Sequence, residues 1–140
     1  MNRQPSKSRP LFMSQQHVDE VNAILRGVPK VLAAASALAS ERMLVYELGE
    51  GPHGHTIYWV YEAGPRTGVH FSLGRPQRSP DVLVKCDWAE MVRSSRNERE
   101  GKAPTVREEV EGDQDLMLAM LDIIELARPY ATVDVLFPDV

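Results

Sequence analysis

Apolar positions along this chain recur first at helical spacing, then alternate, then return to helical spacing. From Ser14 to about Arg26, Val18, Val21, Ile24 and Leu25 have the spacing of one helix face, with Ser14 placed as N-cap. Gly27 ends that helix, and Pro29 suits the first turn of a second, alanine-rich one running to about Ala39. Its small side chains allow close approach to a sheet or leave room for a pocket. The period then changes to two. Leu44–Leu48, Thr56–Glu62, and Val69, Phe71 and Leu73 alternating with His70 and Ser72 read as three strands parted by Gly- and Pro-bearing turns. Short connections make them an antiparallel meander, and Asp81–Cys86 is a fourth strand.

Asp87 and Glu90 form a D-x-x-E capping box that opens a helix over Trp88–Glu100, with Trp88, Met91, Val92 and Ser95 on its inner face. A Gly101–Pro104 break precedes a fifth strand, Thr105–Val110. Gly112 and Asp113 then lead into a very apolar helix, whose first N–H groups the Asp113 carboxylate can accept. Leu116, Met117, Met120, Ile123, Ile124 and Ala127 share one broad arc of it, with Asp115, Asp122 and Glu125 opposite. Two methionines make that arc able to repack around an apolar guest; closing an ordinary core is the competing use. Pro129 is expected to bound this helix, and Val133–Phe137 to form a short extended tail. The sum is an α+β fold, a five-stranded, mainly antiparallel sheet with helices packed on one face.

With 140 residues the chain makes one domain, expected over residues 14–140 behind a flexible tail at 1–13, with Met13 an alternative start. A formal net charge of −4 argues against a general nucleic-acid binder. Arg66, Arg75, Arg78 and Lys85 nevertheless make the middle of the chain locally basic. Cys86 is the only cysteine, which excludes an intrachain disulfide and a four-cysteine zinc site and fits a reducing cytoplasm. The basic N-terminus lacks the apolar run of a signal peptide. No window approaches the roughly 18 apolar residues of a membrane span, so stable membrane insertion is not expected.

Chemistry-bearing residues are few. His53 and His55 in GPHGH, with His70 or Cys86, offer metal ligands, but read more simply as exposed turn residues. Cys86 paired with a histidine would make a nucleophile and base, although its place in a strand suits a small buried hydrophobe. Asp87 and Glu90 are already occupied as a cap, and the acidic run from Glu108 to Asp115 reads as a solvated edge. There is no G-x-S-x-G, Rossmann glycine pattern or P-loop. Neither catalysis nor a metal or other cofactor is expected.

Two segments resemble the sterol carrier protein type 2 superfamily of lipid-binding domains. PDVLVKCDWAEMV is similar to that family's strand running into a short helix. TVREEVEGDQDLMLAML is similar to its strand ending in Gly-Asp before a helix that borders the lipid tunnel, and Gly101 sits at the helix-ending glycine between them. The resemblance spans roughly Ser14 to Arg128. It departs in carrying Glu108, Glu109 and Glu111 where the family has a basic residue before Gly-Asp. It departs also in ending Phe137-Pro138-Asp139-Val140 rather than in a peroxisomal Ser-Lys-Leu, so a bacterial-type cytoplasmic version fits better.

The resemblance implies a cavity between sheet and helices holding a hydrophobic small molecule: a fatty acid, an acyl-CoA or a sterol-like lipid. Its expected ligand-binding residues are Trp59, Phe71, Trp88, Met91, Met117, Met120, Leu121 and Ile124, each of which also suits a plain core. Burying a lipid chain gains about 0.8 kcal/mol per methylene, so a dozen supply roughly 10 kcal/mol before binding costs. On this reading Leu116–Arg128 is a movable wall, and Met120→Glu keeps the fold while abolishing binding. The alternative is an interaction subunit without ligand, such as a homodimer, because Leu118 and Leu126 make the last helix apolar nearly all round.

Overall fold

A computed structural model of the protein describes residues 9–140. Helix α1 (Gln15–Leu25) starts where the Ser14 hydroxyl accepts the His17 N–H at 3.2 Å. Helix α2 (Pro29–Ser36) is shorter than expected: the Ala37 N–H is shared between the Ala33 and Ala34 carbonyls, and the Leu38 N–H turns to the Ala35 carbonyl three residues back, which tightens and ends the last turn. Strands β1 (Arg42–Gly49), β2 (Ile57–Gly64) and β3 (Gly68–Leu73) form the meander, with Tyr46 opposite Trp59 and Tyr61 opposite Phe71. Strand β4 (Val82–Asp87) lies parallel to β1 on its other side, and β5 (Glu109–Gly112) runs antiparallel to β4. The sheet order is therefore β3-β2-β1-β4-β5, mainly antiparallel.

Helix α3 (Trp88–Arg99) follows β4 directly, its N-cap Asp87 accepting the Glu90 N–H at 3.0 Å. Strand β5 is shorter and later than the expected Thr105–Val110. The Ser94 hydroxyl accepts the Thr105 N–H at 3.1 Å and draws the preceding chain toward α3 instead of along β4. Gly112 turns the chain at φ 114°, and a Cβ there would stand 2.3 Å from the Asp81 carbonyl oxygen, so no other residue fits without moving backbone. Helix α4 (Gln114–Ala131) opens on Asp113, which accepts the Leu116 N–H at 3.1 Å. It does not stop at Pro129. The lost N–H falls near the helix end, so the penalty of a proline is limited to the final turn.

Among the described residues, helices α1 to α4 all lie against one face. Leu44, Tyr61, Val82 and Val84 meet α1, α2 and α4 in the main core, while Leu48 meets Trp88 and Val92 of α3 in a second cluster. On the other face Met43, Val45 and Val60 cover one another with Tyr58 and Leu83. Strand β3 is an edge, and α1 protects it: Asn22 Nδ2 donates to the Phe71 carbonyl and Asn22 Oδ1 accepts the Phe71 N–H, both at 2.8 Å.

The tail expected at 1–13 is corrected from residue 9 onward; residues 1–8 lie outside the described residues. Leu11 pairs in parallel with Leu136, the Phe12 N–H donates to the Leu136 carbonyl at 2.8 Å, and Leu136 returns a bond to the Pro10 carbonyl at 2.9 Å. The driving force is apolar: Phe12 is buried with Trp88 and Val135.

A candidate ligand cleft between the sheet and the helices

Helices α1 and α2 pack over β3, and α3 packs over β4 and β1. Between them the middle of the sheet is left partly uncovered, and α4 bridges from α1 and α2 toward β4. The result is a cleft of about 760 Å³, within the range that takes small organic ligands. Its floor is aromatic. Trp59 and Tyr46 face each other across β1 and β2, Phe71 lies 5.4 Å from Trp59, and Phe71 stacks on Tyr61 at 5.0 Å. Its walls are Val21 and Leu25 from α1, Met91 from α3, and Leu121 and Ile124 from α4.

One rim of the cleft is charged. Arg128 Nε donates to Glu125 at 2.8 Å and its Nη1 to Glu98 at 3.3 Å. Arg99 donates to the Val133 carbonyl and lies over the Phe137 ring at 5.6 Å, so the C-terminal segment is strapped down beside the cleft. Burial lowers the pKa of the Arg99 guanidinium, and burial together with Glu98 raises that of Glu108.

Besides the hydroxyls of Ser94, Ser95 and Thr132, two larger polar side chains stand among the apolar ones. His17 is 5% exposed, with its ring 5.6 Å from Phe12 and 5.8 Å from Trp59. Its Nδ1 accepts the Met13 N–H at 2.9 Å, which leaves Nε2 to carry the proton of the neutral ring. Burial first, then the Arg99 charge, hold its pKa down at about 4, against a smaller opposing pull from Glu20. Tyr46 also lines the cleft, and burial, followed by Glu108, pushes its phenol above the ordinary range.

Five of the eight residues expected from the sequence line this cleft: Trp59, Phe71, Met91, Leu121 and Ile124. The other three do not, and the expectation is corrected for them. Trp88 sits at the start of α3 in the second cluster, with Leu48 and Val92. Met120 is fully buried in the main core, where its carbonyl accepts the Tyr61 hydroxyl at 2.9 Å. Met117 packs against the same core. The arc of α4 is divided: Met120 points into the core, while Leu121 and Ile124 face the cleft. Met120→Glu would therefore bury an unpaired carboxylate and act on stability first.

Sequence reading missed His17, Tyr46 and the charged rim. A signal was present for two of them. His17, Val21 and Leu25 are spaced four apart on α1, and Tyr46 alternates with Leu44 and Leu48 on the core-facing side of β1. Of the alternative sites, His70 and Cys86 project from opposite faces of the sheet, and among the described residues no three His, Cys, Asp or Glu side chains converge as for a metal ion. Burial, then Glu108, Glu90 and Asp87, push the Cys86 thiol up to about 12, which suppresses the thiolate a nucleophile needs. No described helix is long and apolar enough to cross a membrane.

This order of elements around this sheet defines a sterol-carrier-type fold. A crystal structure of sterol carrier protein 2 superposes with a TM-score of 0.55 at 12% identity, covering 86% of this chain and 99% of that one. The sterol carrier protein domain 2 of Helicoverpa armigera gives 0.51 at 13% identity, over 87% and 91%. A ubiquinone synthesis protein described as UbiJ-SCP2 gives 0.50 at 20% identity, over 79% and 90%. No family model and no curated protein matches the sequence. The fold implied by the two resembling segments is thus the fold observed.

Proposed function

We propose that this protein is a non-catalytic carrier that binds a hydrophobic small molecule of the lipid class in the cleft between its sheet and helices. The observation carrying this reading is the cleft itself: about 760 Å³, floored by Trp59, Phe71 and Tyr46 and walled by aliphatic side chains and Met91. Fatty acyl chains, free or as acyl-CoA, and sterol-like compounds are its candidate ligands, and a fold shared with sterol carrier domains supports them. The reading includes a cytoplasmic location, in keeping with a lone, half-buried Cys86.

Native mass spectrometry of freshly purified protein, followed by solvent extraction and identification of what is released, tests it. A discrete lipid-like adduct is the expected result. A bare protein mass, nothing extracted and no uptake of an added fluorescent lipid would refute it. A second reading, self-association without ligand, rests on Leu118 and Leu126 of α4, which are 62% and 44% exposed. A dimer mass in that same experiment that Leu118→Lys abolishes would favour it.

A further inference from the structure

Apolar clefts that only shelter a hydrocarbon have no use for hydrogen-bond donors left without partners, since a buried donor is costly unless something accepts from it. Two side chains of this cleft present one each, at atoms that open onto the cleft rather than being sealed in protein. His17 is 5% exposed, and its tautomer is set by the Met13 N–H at Nδ1, so the Nε2–H is a donor. Among the described residues nothing accepts from it. The Tyr46 hydroxyl lines the same cleft and likewise has no hydrogen-bond partner among the described residues, whereas the neighbouring Tyr61 hydroxyl is satisfied by the Met120 carbonyl.

The charges around the donors limit what can accept from them. Glu98, Glu108 and Glu125 line the cleft against only two guanidiniums, Arg99 and Arg128. Arg128 is held by Glu98 and Glu125, and Arg99 by the Val133 carbonyl. Arg99 keeps its charge, since a carbonyl neutralises none of it, but three carboxylates against two guanidiniums leave the lining net negative, and Glu108 already resists ionisation there. His17 is neutral at pH 7, because burial holds its pKa at about 4. The donors are therefore uncharged and stand in a field that opposes another anion.

Building on the carrier reading, we propose that His17 Nε2 and the Tyr46 hydroxyl form an uncharged two-donor anchor for a carbonyl oxygen on an otherwise apolar ligand. The ligand class is then a neutral ketone- or ester-bearing lipid rather than a free fatty acid. A carbonyl oxygen has the lone pairs to accept such bonds and leaves no net charge to desolvate.

A shape-matched pair of probes separates the anchor from general hydrophobic binding. Hexylbenzene and hexanophenone differ only by the exchange of one methylene for a carbonyl. Equilibrium dialysis against the full-length protein, with the probes quantified by chromatography, gives the ketone-to-hydrocarbon affinity ratio. Tyr46→Phe removes only the hydroxyl. His17→Asn keeps an acceptor for the Met13 N–H and takes the donor away from the Nε2 position, its own amide N–H groups lying nearer the backbone. Circular dichroism verifies that each variant is folded, and the single Tyr46→Phe variant suffices if the double one is not.

In the double variant the ratio should fall about tenfold, any change common to both probes cancelling in it, and each single variant should give part of that fall. Both probes binding with a ratio that no folded variant alters would overturn the anchor and leave the carrier reading standing. Tighter binding of 6-phenylhexanoate than of hexanophenone at pH 7.5 would overturn its preference for uncharged ligands. Neither hydrocarbon nor ketone binding to the unaltered protein would overturn the carrier reading and the anchor together.

Discussion

Acidification should destabilise this protein through one histidine. In the folded chain His17 is buried against Phe12 and Trp59 and its pKa is held at about 4, whereas the ordinary value it approaches on unfolding is 6.5. Above pH 6.5 both states are neutral at this site, and its full stabilisation is present. As the pH falls below 6.5 the unfolded chain takes up a proton that the folded one refuses, so unfolding becomes progressively more favourable until the pH passes about 4. At about 1.4 kcal/mol per pH unit, the gap amounts to about 3 kcal/mol, a large part of the 5–15 kcal/mol typical of a domain. Urea unfolding followed by circular dichroism at pH 4.0, 5.0, 6.0 and 7.0 measures it. Carboxylates in general also take up protons toward the acid end of this window, so the informative quantity is the difference between the natural protein and His17→Asn. That difference should shrink steadily as the pH falls from 6.5 to 4. A variant whose stability follows the same pH dependence as the natural protein would refute the assignment.

Further expectations separate core from cleft. Met120→Ala should cost about 2–5 kcal/mol of stability, read from the urea midpoint, while leaving probe binding intact. Ile124→Asp, on the cleft wall, should instead remain folded and lose binding of the hexylbenzene probe at least tenfold. Asn22→Ala removes both hydrogen bonds to Phe71 at the β3 edge and should cost roughly 2–5 kcal/mol. In hydrogen exchange, the Phe71 amide should lose protection before the amides of β1. Tyr61→Phe, which deletes one buried bond to the Met120 carbonyl, should cost about 1 kcal/mol and leave the ketone-to-hydrocarbon ratio unchanged.

The parts of this protein governed by neighbours in sequence are legible in the order of residues alone. Ser14, Asp87 and Asp113 cap the three helices they are expected to cap, because an N-cap needs only a short polar side chain within reach of its own first turn. Alternation assigns Phe71 and His70 to opposite faces of β3, because the strand period is a local property. Short turns make β1–β3 a meander for the same reason.

What the sequence leaves open depends on residues far apart in the chain. The parallel placement of β4 beside β1 follows from where the chain returns after β3, and no local period encodes that. Pro129 forbids one hydrogen bond but does not dictate where the helix ends. Residues 9–13 read as part of a flexible tail until Leu11 and Phe12 find Leu136 more than a hundred residues away. The candidate site shows the same division most clearly. Helical spacing puts Met117, Met120, Leu121 and Ile124 on or beside one apolar arc, but only the docking of α4 on α1 and α2 decides which fill the core and which face the cleft. Spacing alone places His17 and Tyr46 on buried faces. That neither has a partner among the described residues is a relation among α1, β1 and everything around them, and only the packed tertiary structure could create it.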